Sequence, residues 1–362
     1  MESMTGRERI GNILERKPVD RIGVFEHFWS DTRRVWAEKG WISPETDFVD
    51  YFDFDLDLCW AFNMVADLDF VPQVIEETAE TILRRDGNGA LLRTHKLHSA
   101  TPEHVDFLVK ERDAWEEKIK PLLVPDRRRI NFEAYRQKKA KCRDQQRFFC
   151  WSGTNVFELM HPVCGHEHML VGMALDPEWV QDMVGTYANL TVALQEILFA
   201  EEGKPDGIFY YEDMGFKGRP FMSPAMYNEI IKPGHKRTID YNKSLGLPVI
   251  MHSCGMVEKL LPGMLDAGID CLQVIEVKAG MDLVKLYRQY GDRLSFFGGM
   301  DVRELYSNDL ARVERELEAK IPIVKQNFGY ILHSDHSIPN TVDLKTYQHF
   351  KDYGLELGRY DN

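Results

Sequence analysis

The sequence predicts an α/β protein, a (β/α)8 TIM barrel whose N-terminal half is elaborated. Eight strand-like runs occur along the chain, and in the second half helix-sized segments separate most of them. Strand–helix alternation of this length is typical of a parallel barrel. The chain has 362 residues and is 44% hydrophobic, so it can bury one large core.

The predicted strands fall into two groups, two before the elaborated region and six after it. An N-terminal helix precedes them, since apolar residues recur on one face of residues 5–14 and the K-P-V-D-R segment then ends the pattern. The predicted strands are residues 22–28, 53–63, 147–152, 207–212, 248–252, 270–276, 294–298 and 329–333.

The region between the second and third strands is predicted to be an insertion that lies outside the barrel. Residues 81–97 predict a β-hairpin that turns at D-G-N-G, because Asp-Gly and Asn-Gly tolerate the positive φ angles of such turns. Residues 102–141 are highly charged with a helical pattern, which is typical of a solvated helix face. We predict a single domain over residues 1–362, with a hairpin and helical insertion around residues 75–145.

Composition excludes several classes of function. The formal charge of −13 and the pI near 5.4 disfavour a nucleic-acid partner, which needs a basic surface. No apolar run approaches the length of a membrane span, and the first nine residues lack a signal-type hydrophobic segment, so a cytoplasmic location is expected. The six cysteines form no Cys-x-x-Cys pair, so no disulfide framework is expected in that reducing compartment.

Polar and ionisable residues gather where the predicted strands end. The carboxyl ends of the strands carry the chemistry in barrels of this type. The residues at these ends are Glu26, His27, Asn63, Thr154, Asn155, Glu212, Asp213, His252, Cys254, Glu276, Asp301, His333, Asp335 and His336.

The stretch V-I-M-H-S-C-G, residues 249–255, places two metal-competent side chains at one strand end. His252 and Cys254 lie in its turn, and a helical pattern follows from residue 256 to residue 265. Backbone N–H groups and the dipole at a helix N-terminus favour a cysteine thiolate. Plain packing is the alternative for a buried Cys beside a His.

Four strand-end residues form a set that suits Zn²⁺, which prefers a tetrahedral arrangement of sulfur, nitrogen and carboxylate oxygen. They are His252, Cys254, Glu276 and His336. On the residues alone, Glu276 also suits an ion pair. His333 and Asp335 compete with His336 for the last position.

A second group of potential ligands occurs at Cys164, His166 and His168. The two histidines are two residues apart at a predicted helix start, so they face different directions. We expect packing rather than a metal site there.

Several motifs together resemble the uroporphyrinogen decarboxylase superfamily. They are R-E-R-I-x-N-I-L-E-R-K-P-V-D-R at the start, F-M-S-P-A-M-Y-N-E-I-I-K-P from residue 221, the H-S-C-G turn, F-G-G-M-D from residue 297 and G-Y-I-L-H-S-D-H-S-I-P from residue 329. The resemblance covers nearly the whole chain and implies the same barrel.

Within that superfamily the chain departs from the decarboxylases themselves. Their Arg-Gln-Ala-Gly-Arg motif is replaced by E-H-F-W-S from Glu26. The His-x-Cys-Gly turn instead resembles the corrinoid-dependent methyltransferase branch and, more distantly, cobalamin-independent methionine synthase. That resemblance implies zinc held by His252, Cys254, Glu276 and a later Cys, whose position aligns here with His336.

The resemblance and the implied ligands lead to a hypothesis about the reaction. A His, Cys, Glu, His set carries one negative charge less than a set with two thiolates, so its zinc is a stronger Lewis acid and suits an oxygen ligand. We hypothesise that zinc coordinates the oxygen of a methyl ether, aromatic ethers included, while a cob(I)alamin on a separate protein attacks the methyl carbon.

Further strand-end residues receive roles in this hypothesis. The expected catalytic residues are Asp213, Glu212 and His333, which supply a proton or orient the substrate. The expected substrate-binding residues are Phe25, His27, Trp29, Trp151 and Asn155. The alternatives are a strand-end salt bridge for the two acids and core packing for the aromatic residues.

The expected partners are a small-molecule methyl donor and a corrinoid protein. The sequence contains no Asp-x-His-x-x-Gly motif, so cobalamin has to arrive on another chain. A homodimer is one option for the assembly. The alternative functions are methyl transfer from a methylcorrinoid to a thiol or folate, a decarboxylase-like carboxy-lyase, and a binding protein without catalysis.

Overall fold

One eight-stranded parallel sheet forms the centre of the molecule. The computed structural model describes residues 3–96 and 102–360. Its strands are β1 (Gly23–Val24), β2 (Leu56–Trp60), β3 (Gln73–Glu77), β4 (Thr81–Arg85), β5 (Leu91–His95), β6 (Glu103–Asp106), β7 (Phe148–Thr154), β8 (Gly207–Tyr211), β9 (Gly215–Phe216), β10 (Arg219–Pro220), β11 (Val249–Ser253), β12 (Cys271–Val274), β13 (Ser295–Gly298) and β14 (Tyr330–Leu332).

Helices surround this sheet. They are α1 (Gly6–Leu14), α2 (Ser30–Glu38), α3 (Phe48–Tyr51), α4 (Arg112–Ala114), α5 (Phe132–Asp144), α6 (Val156–Leu175), α7 (Pro177–Glu202), α8 (Pro224–Met226), α9 (Lys232–Ser244), α10 (Leu261–Ala267), α11 (Leu283–Tyr290), α12 (Arg303–Tyr306), α13 (Leu310–Val324) and α14 (Leu344–Leu357). Within the described residues, no helix has the length and apolar character needed to cross a membrane.

The parallel sheet closes on itself. Its strand order is β1-β14-β13-β12-β11-β8-β7-β2, and every pairing in it is parallel. The two end strands meet where the N–H of Asp55 donates to the carbonyl of Val24 at 3.0 Å. The carboxylate of Asp55 in turn accepts the N–H of Val24 at 2.9 Å. The predicted α/β barrel is therefore confirmed.

Asp55 also binds two arginines at this junction. Its carboxylate lies 2.5 Å from Nη1 of Arg9 and 2.8 Å from Nη1 of Arg21, and Asp55 and Arg9 are both buried. Removing one partner of a buried ion pair leaves an uncompensated charge, which costs about 3–5 kcal/mol. The N-terminal helix α1, which carries Arg9, thus helps to hold the barrel closed.

All eight predicted strands are present, and their positions agree with the prediction better than their lengths. The first two are shorter than the predicted runs 22–28 and 53–63. Phe25 and Phe54, just outside the observed strands, are still buried. Apolar residues thus continue past the last paired residue, which makes a strand read from hydrophobicity too long.

A four-stranded antiparallel sheet, in the order β3-β4-β5-β6, lies between β2 and β7 in the chain. The predicted hairpin is its central pair, β4 and β5, and Leu97 at the end of the predicted range lies outside the described residues. In the turn, Oδ1 of Asp86 accepts the N–H groups of Asn88 and Ala90, each at 2.9 Å.

The charged segment after this hairpin is less helical than predicted. It contains strand β6, one turn of π-helix at Trp115–Ile119, and short 3-10 helices at Lys120–Leu122 and Arg127–Arg129 before α5 begins. Pro121 and Pro125 interrupt the segment, and proline lacks the N–H that a continuous helix requires. Charge identified a solvated segment here but not its local structure.

Candidate metal centre

Three potential metal ligands meet at the carboxyl ends of neighbouring strands. Asp213 follows β8, while His252 and Cys254 belong to the end of β11 and the turn after it. Nε2 of His252 lies 3.3 Å from Sγ of Cys254 and 3.2 Å from Oδ1 of Asp213. The three ligand atoms lie within 4.8 Å of one another. Nitrogen, sulfur and carboxylate oxygen are the donors that zinc prefers, so this metal group suits one zinc ion.

Two glycines hold the loops of the metal group in contact. Gly255 has a φ of +79°, and a Cβ there would lie 2.2 Å from the carbonyl carbon of Gly215. A Cβ on Gly215 would lie 2.5 Å from the carbonyl oxygen of Cys254. The N–H of Met256 also donates to the carbonyl of Phe216 at 3.0 Å. The loops after β8 and β11 therefore pack through backbone that only glycine permits.

The helix after Cys254 begins later than predicted. Residues 256 and 257 are not helical, a 3-10 turn spans Glu258–Leu260, and α10 begins at Leu261. Cys254 therefore lies away from the helix N-terminus, and the predicted start at residue 256 is wrong. Burial raises the pKa of the Cys254 thiol, although His252 opposes the shift.

Gln273, buried on β12, orients the imidazole of His252. Nδ1 of His252 donates to Oε1 of Gln273, which leaves Nε2 facing Cys254 and Asp213. Metal-binding histidines commonly donate their second N–H in this way, which fixes the tautomer. Burial alone lowers the pKa of His252, but the negative charges of Cys254 and Asp213 hold that pKa well above its ordinary value. The metal group therefore attracts positive charge.

The two other predicted ligands lie beside the metal group. Oε2 of Glu276 accepts the N–H of Gly255 at 2.6 Å, and Oε1 lies 3.5 Å from Nζ of Lys278. The ring of His336 lies 5.7 Å from that of Trp29. Burial lowers the pKa of His336, Lys278 lowers it further, and Glu276 opposes both. The ligand roles of Glu276 and His336 stay predictions.

The two competitors of His336 have other partners. Asp335 accepts the N–H of Val277 at 2.9 Å and that of Val302 at 2.8 Å, and so ties the loops after β12 and β13 to the loop after β14. Burial raises the pKa of Asp335. His333 is buried and belongs to a chain of hydrogen bonds inside the barrel.

That chain runs from the loops after β1 and β14 to β8. Nε2 of His333 lies 3.0 Å from Oε1 of Glu26 and 2.9 Å from Nδ1 of His27. Nε2 of His27 lies 2.8 Å from the hydroxyl of Tyr211. The ring of Tyr211 lies 4.9 Å from that of His252. Two predicted site residues, His27 and His333, are thus joined to the metal group through a tyrosine that sequence reasoning missed.

Comparison with known proteins agrees with the motifs. A family model described as uroporphyrinogen decarboxylase (URO-D) matches residues 153–354, more than half of the chain. This chain belongs to the uroporphyrinogen decarboxylase family. The resemblance read from its motifs is therefore confirmed at the level of the family.

Two relatives extend the comparison. The methylated-thiol–coenzyme M methyltransferase of Methanosarcina mazei is 28% identical over 158 residues, which cover 43% of this chain and only 39% of that relative. The solved structure of a methyltransferase from Methanosarcina mazei matches with a TM-score of 0.65 and 14% identity, over 98% of this chain and 99% of that one. At that identity the structural likeness establishes the fold alone.

In this uroporphyrinogen decarboxylase family member, the Glu212 carboxylate binds the N-terminus of α6. Its Oε1 accepts the N–H of Phe157 at 2.7 Å, and its Oε2 accepts the N–H of Glu158 at 3.1 Å, both in the first turn of α6. Nε2 of His235 lies 2.6 Å from Oε1. Negative charge is favourable at a helix N-terminus. Of the two acids predicted to move protons, Asp213 is therefore the one that lies in the metal group.

Two predicted substrate-binding residues are buried, with side chains that contact helices and the barrel core. Asn155 caps α6, with its Oδ1 accepting the N–H of Val156 at 3.0 Å and its Nδ2 donating to Oγ1 of Thr238 at 3.2 Å. Trp151 packs against Tyr210, whose hydroxyl bonds residues of α7 and α9. The contacts of Trp151 agree with the alternative of core packing, and those of Asn155 are the contacts of a helix cap.

Aromatic residues near the metal group come from other strand ends. Phe25 packs against the ring of His27, with centroids 4.9 Å apart, inside the barrel. Trp60, the last residue of β2, is 52% exposed and lies 4.8 Å from the ring of Tyr211. Trp60 and the partly exposed Trp29 thus each lie next to a site residue.

Glu158 is an acid that the strand-end rule missed. It lies in the first turn of α6, four residues after β7 ends, and its carboxylate accepts the backbone N–H of Asp213. Burial, together with the negative charges of Asp213 and Glu212, raises the pKa of Glu158 to about 8. A carboxyl group with a raised pKa thus adjoins the metal group.

Proposed function

We propose that this chain is a zinc-dependent methyltransferase that moves a methyl group from a small methyl ether, aromatic ethers included, to the cobalamin of a separate corrinoid protein. The observation that carries the proposal is the metal group of Asp213, His252 and Cys254, with its histidine oriented by Gln273. The partial match to a methyltransferase supports the class of reaction.

The residues of the metal group fit a catalytic zinc site. Nε2 of His252, Sγ of Cys254 and one carboxylate would hold the ion and leave a position for substrate. Asp213 and Glu276 both offer a carboxylate there, and His336 offers a further nitrogen. Bound zinc supplies a Lewis acid that stabilises negative charge on the atom losing its methyl group.

The donor chemistry favours an ether oxygen over a thioether sulfur. The group contains one cysteine, one histidine and one carboxylate. A second thiolate would donate more charge and favour a soft sulfur substrate, whereas nitrogen and oxygen donors keep the ion harder.

The surrounding residues shape the place where the substrate binds. The rings of Tyr211 and Trp60 form one wall, with Trp60 half open to solvent, and Trp29 flanks His336. Aromatic rings bind flat apolar groups through stacking and edge contacts. Glu158, with its raised pKa, is the neighbouring acid able to return a proton to the product after methyl transfer.

A methylated thiol is the second candidate for the methyl donor. One observation favours it: the 28% identical relative is named as acting on methylated thiols. Because the match covers 39% of that relative, its substrate carries over only as a hypothesis.

The test is methylation of free cob(I)alamin by the zinc-loaded chain, followed by absorbance, with methoxybenzenes and methylated thiols as parallel donors. We expect methylcobalamin from the ethers and about one zinc per chain, both lost in His252→Ala, Cys254→Ala. The control, His349→Ala, Cys142→Ala, changes the same residue types on α14 and α5 and should keep both.

Each other result contradicts part of the proposal. Methyl transfer from methylated thiols and not from ethers would mean that the substrate is a thioether. Activity that survives in His252→Ala, Cys254→Ala would exclude the metal mechanism. Release of CO2 from a polycarboxylate porphyrinogen without zinc would favour the carboxy-lyase alternative.

A further inference from the structure

A cavity of about 590 Å³ lies beside the loops of the metal group, and we call it the hairpin pocket. It is lined by Leu170 of α6, by Phe216, Arg219 and residues 220–224 on and after the hairpin of β9 and β10, and by Lys259. Its volume is in the range of cavities that hold small organic molecules. None of these lining residues belongs to the metal group, so the hairpin pocket is a separate site.

The hairpin pocket joins the two chain segments that supply the metal group. The hairpin of β9 and β10 follows Asp213, and the 3-10 helix Glu258–Leu260, which carries Lys259, follows Cys254. Strand β10 packs against this 3-10 helix. A molecule bound in the hairpin pocket therefore contacts both segments at once.

The charged side chains of the hairpin pocket are both basic. Arg219 and Lys259 are exposed, and neither has an ion pair or a side-chain hydrogen bond within residues 3–96 and 102–360. Glu258, the acid next to Lys259, pairs instead with Lys285 at 2.5 Å. Among the described residues no acid lines the pocket, although the whole chain has a formal charge of −13. An anion is thus the partner that these two side chains lack.

The rest of the wall is apolar and partly aromatic. The side chain of Phe216 is 55% exposed, and its ring lies 6.0 Å from that of Phe221. The ring of Phe221 stacks on that of His166 at 4.8 Å, so a second aromatic ring holds it in place. Aromatic rings bind flat apolar groups through stacking and edge contacts. The hairpin pocket therefore offers an aromatic surface next to two cations.

We propose that the hairpin pocket binds a small organic anion whose aromatic body lies against Phe216 and Phe221 and whose negative group lies at Arg219 and Lys259. Guanidinium and ammonium groups both bind the oxygens of carboxylates and phosphates. The ligand links the hairpin after Asp213 to the segment after Cys254. The proposal goes beyond the proposed function and does not depend on it.

The binding test separates charge from apolar contact. Isothermal titration of zinc-free protein compares benzoate and phenyl phosphate with benzyl alcohol, which has no charge, and with inorganic phosphate, which has no ring. Zinc-free protein is used because carboxylates also bind zinc. At least one aromatic anion should bind about tenfold or more tightly than both comparison compounds, and added salt should weaken it. Equal binding of benzyl alcohol and the aromatic anions would overturn the proposal.

Substitutions in the lining test where the anion binds. Arg219→Gln and Lys259→Gln should each weaken its binding about 3- to 10-fold, because each removes one cation. Lys217→Gln is the matched control, since Lys217 is exposed in the turn of the same hairpin and is not part of the lining. Phe216→Ala should weaken the aromatic anions and leave inorganic phosphate unchanged. Equal affinity in Arg219→Gln, Lys259→Gln and the control would overturn the proposal.

Hydrogen exchange locates the ligand without any substitution. The bound aromatic anion should slow amide exchange in residues 215–224 and in residues 256–260, because it contacts both segments. Protection confined to other parts of the chain would overturn the proposal. Protection by poly-glutamate and by neither small anion would mean that the pocket binds an acidic protein surface, and would also overturn it. All these measurements stand whether or not the chain transfers methyl groups, so the two proposals fail independently.

Discussion

His252 and Gln273 face each other in the parallel ladder of β11 and β12, and the imidazole donates its Nδ1 hydrogen to the amide oxygen. The Gln273 side chain is completely buried, so no water competes for that hydrogen. Strand register therefore decides which nitrogen of His252 faces the metal group. The orientation of the predicted ligand is a property of the barrel rather than of its own loop.

Replacing Gln273 with Leu should weaken zinc binding. The variant removes the acceptor of the His252 Nδ1 hydrogen, and loss of such a partner typically costs about 10- to 100-fold in metal affinity. Gln273→Glu keeps an acceptor oxygen at the same reach and should retain binding. Competition with a chromophoric chelator measures both, and equal affinity in Gln273→Leu and the parent protein would contradict the prediction.

The choice of carboxylate ligand can be decided by two isosteric substitutions. Asp213→Asn removes the carboxylate within 4.8 Å of the other ligand atoms, so zinc affinity should fall by at least about tenfold. Glu276→Gln removes the carboxylate that accepts the N–H of Gly255, and its effect should be smaller. The reverse order of zinc affinities would make Glu276 the ligand, as the family resemblance implies.

The barrel was predictable because its strands are buried on both faces and read as separate apolar runs. The ends of those runs were less certain. The second run extends to residue 63, whereas β2 ends at Trp60, so the exposed tryptophan was read as the middle of a strand. Trp151, predicted to wall the pocket, packs against Tyr210, and its role in the site stays a prediction. A boundary error of three residues thus hides an aromatic side chain that lies at a strand end.

Side-chain direction limited the prediction of the site itself. Tyr211, Glu212 and Asp213 are consecutive, yet they reach the barrel interior, the start of α6 and the metal group respectively. Residue type marked the two acids but gave no reason to choose the tyrosine. Glu158 reaches Asp213 from the first turn of α6, a contact between elements that no spacing in the sequence encodes.

The contact between Gly215 and Gly255 predicts a large effect of adding a methyl group. Gly255→Ala places a Cβ 2.2 Å from the carbonyl carbon of Gly215, at a φ of +79°. Gly218→Ala is the control, because Gly218 has a φ of +77° but nothing within 4 Å of its Cβ position. The control should lose on the order of 1 kcal/mol from backbone strain.

Gly255→Ala should lose roughly 2–3 kcal/mol more than this control, since the clash is with backbone that cannot rotate away. The displaced turn should also weaken zinc binding through Cys254. Urea unfolding of both variants measures the difference in the free energy of unfolding. Equal losses would show that the two loops separate freely and that the glycine contact does not hold the metal group.

Three neighbouring histidine rings predict how the free energy of unfolding changes in acid. The ring of His161 lies 4.4 Å from that of His104 on β6 and 4.0 Å from that of His166, which also stacks on Phe221. His166 follows the kink of α6 at Gly165. Burial, together with the nearby His161 and His104, lowers the pKa of His166 to about 4, although the negative charge of Asp213 opposes the shift.

Because the folded-state pKa of His166 lies below the unfolded value, the unfolded chain binds the proton first as the pH falls. The contribution of His166 to the free energy of unfolding is therefore fully present above about pH 6.5. It is lost progressively as the pH falls from there to about pH 4. His166→Phe keeps the stack on Phe221 without a titrating group, and should reduce the loss by about 1–2 kcal/mol. His168→Phe, on a residue that faces Phe107 instead, is the control. Urea midpoints at pH 7 and pH 4.5 that fall equally in the parent and His166→Phe would contradict this assignment.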